Sequence, residues 1–369
     1  RVNSEPVREC TRRVAPAAGK PMRGQAGEPA CSLVLAACGG RHCGLVGRRR
    51  AAPAVGLRWP AVRSAPRRGR SQAMTARAGS CAEGAVQWIE DNLAGGKVVD
   101  QAYYGSSDWS SQHVYTTEDG SKYFVKVAPG HDVRMFKGEA LALNAMYDTQ
   151  TLRIPKVHHF GELGKAGSFI VMEHLNFGGR ASGAELGRQL AAMHLATPTD
   201  PDAAAGRFGF PVANTCGATP QVNDWSDDWV AFYRDQRLRY QLQLTGNAEL
   251  QRMGDKLCAN IHTFFDGITV KPSILHGDLW SGNIASVDGQ PSIFDPASYY
   301  GHYEAEFGIS WCAGFGQDFW SAYHEVIPRE PGFEQRHQLY QLYHYLNHYN
   351  LFGSGYYSPC ASILKKLTR

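Results

Sequence analysis

The sequence predicts an α+β chain of two lobes: a small, mostly antiparallel sheet with one main helix, then a larger, mostly helical lobe. Three observations carry that prediction. Residues 98–176 alternate short β-rich runs with a single Ala- and Leu-rich helical stretch. From residue 182 onward apolar residues recur at helical spacing. And 40 of the 41 aromatic residues lie after position 80, so the material for a core sits there.

The first eighty residues are a different kind of sequence. They hold 16 Lys+Arg against 3 Asp+Glu, a net of +13, while residues 81–369 hold 22 against 31, a net of −9. The overall +4 therefore describes neither part. Trp59 is the only aromatic residue in a segment rich in Ala, Gly, Pro and Arg. Such a segment cannot bury enough apolar surface to offset its chain entropy, so residues 1–80 are expected to be a disordered basic leader. Three readings are open: a nucleic-acid arm, suggested by Arg48-Arg49-Arg50 and Arg67-Arg68; translated upstream sequence without a role; and an organelle transit peptide. A single Lys, Lys20, and the lack of stacking aromatics weigh against the arm. An Arg-rich, acid-poor stretch with small hydroxyl residues favours a transit peptide, processed around Ala76-Arg77-Ala78-Gly79-Ser80-Cys81. The expected location is the chloroplast (plastid stroma), ahead of mitochondrion or cytoplasm. Apolar stretches fall well short of the roughly 18–20 residues that span a bilayer. The nine cysteines show no CxxC spacing, so neither a disulfide framework nor a zinc site is indicated.

The elements follow in order. Gly84–Leu93 is amphipathic, with Trp88, Ile89 and Leu93 apolar. Val98–Ala102, His113–Thr117 and Tyr123–Val127 read as strands, the last two joined by the turn Glu118-Asp119-Gly120. Met135–Tyr147 reads as a helix, Ile154–Val157 and Ser168–Val171 as strands, and Glu173–Asn176 as a connector. These make a first lobe of residues 81–176. Residues 177–369 form the second. Ser182–Ala196 presents Leu186, Leu190 and Met193 on one face, and Ser182 with Glu185 fits a capping box. Trp225–Leu244, Ala248–Phe265 and Gln338–Asn350 are further helices, with a loop-and-strand stretch at 273–297.

That stretch carries the chemistry. His276-Gly277-Asp278-Leu279-Trp280-Ser281-Gly282-Asn283 is followed by Ile293-Phe294-Asp295-Pro296. An Asp, an Asn five residues later and an Asp twelve beyond that suit magnesium-dependent phosphoryl transfer. The first Asp can accept the proton of an attacking hydroxyl, and the Asn and second Asp offer hard oxygen ligands. Lys126, a lone cation in an apolar strand, precedes Glu139 on the next helix by thirteen residues. Met172-Glu173-His174-Leu175, after an apolar strand, fits an interlobe hinge.

These segments resemble the fructosamine kinase / ketosamine-3-kinase family, in the aminoglycoside-phosphotransferase-like branch of the protein-kinase fold. The likeness runs through Tyr123–Val127, Phe136–Met146, Phe169–Leu175, Leu186–Ala196, Ser273–Asn283, Phe294–Gly308 and the Tyr- and His-rich residues 339–356. It implies a bilobal protein-kinase-like fold and ATP and Mg²⁺ as cofactors. It also implies 3-phosphorylation of protein-bound ketosamines: ribulosamine or erythrulosamine, with fructosamine a further substrate. Asp278 would be the catalytic base, and Asn283 and Asp295 the metal ligands. Lys126, held by Glu139, would bind phosphate with Ser106 and Ser107, and Met172, Glu173, His174 and Leu175 would border the nucleotide. Trp280 would stack on the sugar, and His302 and Glu304 would line the substrate pocket, or, with Glu306, brace the loop. His344 and His348, spaced i, i+4, read as helix packing. The family's Gly-rich, Cys-bearing phosphate loop corresponds here to residues 104–111, with one Gly and no Cys. The expected partners are glycated proteins or ketosamine small molecules as substrate, with neither nucleic acid nor membrane, and the chain itself is expected to be a monomer or weak dimer. A choline- or aminoglycoside-type small-molecule kinase and a nucleotide-binding pseudokinase stay as alternatives.

Overall fold

The computed structural model describes residues 72–369 other than Asp108. The first lobe is a five-stranded sheet in the order β1-β2-β3-β5-β4, every neighbour antiparallel. Its strands are β1 (Val98–Ser106), β2 (Ser111–Thr117), β3 (Lys122–Pro129), β4 (Val157–Glu162) and β5 (Gly167–Glu173). Two helices cover its faces. Helix α1 (Gln72–Asn92) lays Cys81, Ala85 and Ile89 on Val125, Val127, Phe169 and Val171. Helix α2 (Arg134–Tyr147) packs Phe136, Ala140 and Leu143 into the main core with Ala128, Ile170 and Met172. Strand alternation makes this possible: odd residues of β3 face α1, and Lys126 and Ala128 face the other way. Lys126 and Glu139 thus meet on one side of the sheet.

Two local expectations shift. The boundary at residue 80 falls inside α1, whose turns beyond it are anchored by the fully buried Cys81; the expected leader before residue 72 lies outside the described residues. The strand expected at Ile154–Val157 instead begins at Val157, because Pro155 has no N–H for a ladder.

The second lobe contains α3 (Gly183–Leu195), α4 (Pro201–Ala204), the short hairpin β6 (Asn214–Cys216) and β7 (Thr219–Gln221), α5 (Trp229–Phe232), α6 (Tyr240–Leu244) and α7 (Ala248–Asn260). The Ser182 hydroxyl caps α3 by accepting from the Glu185 N–H, while the Glu185 carboxylate turns to Arg188 and Gln189. The single helix expected over Trp225–Leu244 is α5 and α6 joined by a π-helical segment, Tyr233–Arg239. That wider turn carries the fully buried Arg237, whose guanidinium stacks on Phe232 and Tyr299 and donates to Asn223 and the Val222 carbonyl. Next come β8 (Ser273–Leu275), the hairpin β9 (Ile284–Val287) and β10 (Gln290–Ile293), and β11 (Tyr299–Gly301), which pairs with β8. A 3-10 segment (Tyr303–Cys312) leads to α8 (Gln317–Val326), α9 (Phe333–Phe352) and α10 (Tyr357–Leu367). Among the described residues no helix is long and apolar enough to cross a membrane.

Strand pairing positions the site. The loop carrying Asp278 joins β8 to β9, and the loop carrying Asp295 joins β10 to β11. Because β9 pairs with β10 and β8 with β11, the two loops emerge side by side.

Candidate active site

A cavity of about 230 Å³ lies where these loops meet β3 and α2. Lys126, Glu139, Asp278, Asn283 and Asp295 line it, with Trp280 and Ser107. The Lys126 ammonium donates to Glu139 at 2.6 Å and to Asp295 at 2.5 Å, so one buried cation ties the helix of the first lobe to the second lobe. Burial alone would favour the neutral amine. The charges of Asp295 and Glu139 outweigh it and push the Lys126 pKa up. Burial pushes Glu139 up as well, against the pull of Lys126.

The loop between β8 and β9 is held from below. Gly277 has φ +78, and a Cβ there would stand 2.3 Å from the Ala297 carbonyl oxygen, so only glycine fits. The buried His276 fixes one tautomer: Nε2–H donates to the Phe294 carbonyl and Nδ1 accepts from the Asp278 N–H. Burial lowers its pKa and keeps it neutral. Glu306 accepts from the N–H groups of His276 (2.7 Å) and Gly277 (2.9 Å) and pairs with His194, which also bonds the Tyr323 hydroxyl. Burial works against the Glu306 charge, but His194, His276 and the backbone donor hold its pKa below the ordinary value.

Asn283 donates from Nδ2 to the backbone carbonyls of Asp278 (2.9 Å) and Asp295 (3.3 Å). Its Oδ1 is left as an acceptor in the cavity that Asp295 also lines. Two hard oxygens beside a lysine fit a magnesium–phosphate group. Asp295 itself sits in the left-handed region, φ +57, a strained backbone of the kind found where a side chain must be aimed. Asp278 is raised to about 7, by burial first and then by the charges of Asp295 and Glu306. A carboxylate so poised suits a general base at neutral pH.

The remaining expected residues are placed differently. Ser107 donates its N–H to the Ser110 carbonyl, and the two hydroxyls bond each other at 2.9 Å, closing the short loop between β1 and β2. Ser106 is exposed at the end of β1 and does not line the cavity. Met172, Glu173, His174 and Leu175 lie outside it too: Met172 and Leu175 are buried, and Glu173 is gripped by Arg153. His302 and Glu304 are not brought to the cleft. His302 is buried against the Tyr340 hydroxyl at 2.7 Å, and Glu304 forms a bidentate pair with Arg336 at 1% exposure on both sides. The 3-10 segment turns both under α9, so they brace the lobe rather than face a substrate.

Sequence reasoning missed Gln112, Met135, Asn214, Thr215 and Gly217, which also line the cavity. Asn214 belongs to a buried polar network, donating to the Ser298 carbonyl and accepting from Gln221 and Asn223. The one signal for it was the run Asn214-Thr215-Cys216-Gly217, polar and turn-like between apolar segments.

Comparison with known proteins gives the family and the fold. The chain is 46% identical over 321 residues to a chloroplastic protein-ribulosamine 3-kinase of Oryza sativa subsp. indica, covering 85% of this chain and 92% of that one. It is 51% identical over 261 residues to the chloroplastic protein-ribulosamine 3-kinase of Arabidopsis thaliana, covering 69% and 78%. A solved candidate fructosamine-3-kinase from Haemophilus somnus 129PT shares the fold, with a TM-score of 0.69 at 24% identity over 80% of this chain and all of that one. The profile described as "Fructosamine kinase" matches residues 86–369, and with these relatives it makes the chain a member of the fructosamine kinase family.

Proposed function

We propose that this chain is a ketosamine-3-kinase, transferring the γ-phosphoryl group of ATP to the 3-hydroxyl of protein-bound ketosamines, ribulosamine foremost. The observation that carries the reading is the single buried lysine touching both Glu139 and Asp295, in the cavity that also holds Asp278 and Asn283. Asp278 takes the proton of the 3-hydroxyl as its oxygen bonds to the γ-phosphorus, and ADP leaves with the electrons of the broken P–O bond. Asn283 and Asp295 would hold Mg²⁺, which supplies neutralisation of phosphate charge when bound. Lys126 orients phosphate oxygens, and Glu139 keeps its ammonium charged and aimed. Trp280, on the cavity wall, offers an indole face to the sugar. The 3-phosphorylated ketosamine is unstable and releases the amine, so the outcome is deglycation. The net −9 of residues 81–369 suits cationic amine adducts as substrates.

The test is ATP turnover on ribulose-lysine and fructose-lysine, with Asp278→Asn as control. Transfer to at least one sugar amine is expected, with ribulose-lysine the better substrate. A loss on the order of 10²–10⁴-fold is expected in the variant. Phosphorylation of choline or an aminoglycoside instead would replace the substrate class, and full activity in Asp278→Asn would sink the mechanism. A plastid location is proposed on the basis of the chloroplastic relatives and the Arg-rich, acid-poor first eighty residues. N-terminal sequencing of the protein from its native cells tests it, and a mature start before about residue 60 counts against a removed transit peptide.

A further inference from the structure

Among the described residues, two clusters of side chains bring three possible metal-ligating atoms within 4.8 Å of one another. One of them, His302, Glu304 and Glu330, already holds a cation, the guanidinium of Arg336 on Glu304. The other, Cys216, Asp278 and His344, does not. Its Asp278 lines the cavity, Cys216 lies between the lining residues Thr215 and Gly217, and His344 belongs to α9.

Three features make it more than a chance meeting. His344 is 3% exposed, and its Nδ1 has no hydrogen-bond partner among the described residues. A buried imidazole nitrogen left unpaired is destabilising, and a bound ligand would recover the lost interaction. Its pKa is lowered to about 3, by burial first and then by His348, so the ring is neutral and its lone pair is open to a metal at any physiological pH. Cys216 is buried, and Asn347 Nδ2 approaches its sulfur at 3.4 Å, an outer donor suited to a coordinated thiolate. The donors are one sulfur, one imidazole nitrogen and one carboxylate, a set soft enough to favour Zn²⁺ over Mg²⁺. In a tetrahedral zinc site such atoms stand roughly 3.3–3.8 Å apart, so side-chain adjustments of about 1 Å would close the site.

We infer that Cys216, Asp278 and His344 form a binding site for Zn²⁺ or a similarly soft divalent cation, distinct from the Asn283 and Asp295 pair, and that filling it takes Asp278 out of proton transfer. Binding forms the metal–sulfur bond as the thiol gives its proton to solvent. No electron is transferred. The metal site stands on its own geometry. Its inhibitory effect rests on the proposed role of Asp278.

The experiment titrates the full chain with Co²⁺, whose bond to a thiolate gives a charge-transfer band in the near ultraviolet. Wild type is expected to gain one such band that Zn²⁺ abolishes, with Cys216→Ser lacking it and His344→Gln binding on the order of 100-fold more weakly. Thermal melting without metal confirms that each variant is folded. If Cys216→Ser melts far below wild type, the His344→Gln titration decides. A band that forms at the same Co²⁺ concentration in either folded variant as in wild type, or that is absent from wild type, overturns the site. In parallel, Zn²⁺ is titrated into the sugar-amine kinase assay at fixed Mg²⁺, each protein being compared with its own uninhibited rate. Inhibition should weaken about tenfold or more in Cys216→Ser. Equal inhibition of both, with the cobalt band intact, overturns the link to Asp278. A wild type that binds Co²⁺ but phosphorylates no ketosamine leaves the metal site standing and removes the functional reading beneath its inhibitory role.

Discussion

Two loops face each other across the cavity and are built in opposite ways. The loop of Asp278 is tied from beneath by His276, Glu306, Asn283 and a glycine that nothing else can replace. Among the described residues, the loop of Ser107 and Ser110 is closed only by bonds between those two, a hydroxyl pair, a backbone bond and the Ser110 N–H on the Ser107 hydroxyl, and its single glycine, Gly105, keeps an ordinary φ with room for a Cβ. The difference teaches that the side proposed to accept the proton is fixed in advance, while the side proposed to face phosphate is held only by local contacts.

The contrast can be broken or sharpened by substitution. The largest effect is expected for Lys126→Met, which leaves Glu139 and Asp295 facing each other without their shared cation. Initial rates should fall on the order of 10³-fold in kcat/KM, far more than any change in the serine loop produces. Next are the two buried glutamates of the 3-10 segment. Glu304→Gln breaks the pair with Arg336 and should cost about 3–5 kcal/mol in denaturant unfolding, with KM for the sugar amine unchanged in the folded fraction. Glu306→Gln loses an acceptor under the catalytic loop and should cost about 1–3 kcal/mol while lowering kcat as well. If both behave alike, the loop anchor is no more than packing.

A subtler effect concerns pH. Asp278 must be ionised to accept a proton, so kcat/KM should rise with pH and level off above about 7. The same shift acts on stability in the opposite sense. The folded pKa lies above the unfolded one, so the neutral carboxyl's contribution is full below about 4 and is lost as pH rises through about 7. Asp278→Asn should therefore unfold later than the parent at pH 8, by about 1–3 kcal/mol once solvent access to the half-buried group is allowed for. Calorimetry at pH 5 and pH 8 measures the difference, which should shrink at the lower pH. The smallest effect belongs to the opposite loop. Ser107→Ala removes the hydroxyl pair with Ser110 and the acceptor of the Ser110 N–H and should cost about 1 kcal/mol, with KM for ATP rising a few-fold in steady-state kinetics.

Much of this was legible in the sequence where signals are local. Asp278, Asn283 and Asp295 lie within one strand–loop–hairpin, so their spacing nearly dictates their meeting. Lys126 and Glu139 could be paired because a strand leads directly into a helix. For His302 and Glu304 the sequence left pocket lining and bracing open, because nearness along the chain to Asp295 says nothing about which way a 3-10 turn faces. Pro155 delayed a strand by the simple loss of a donor. Cys216 and His344 were invisible as a group: they sit on a hairpin and a helix far apart in sequence, and spacing rules detect only ligands that share a turn. The π-helical turn around Arg237 likewise answers to a tertiary demand, a buried guanidinium between two rings, which no periodicity records.

The double grip of Lys126 has one more consequence. A divalent cation arriving at Asp295 meets an ammonium already bonded to that carboxylate, and must displace or share it. A phosphate arriving at Lys126 offers the ammonium a new partner and loosens its hold on Asp295. On the proposed reading each event would lower the cost of the other, so metal and nucleotide would be positively coupled, reciprocally, through a single side chain.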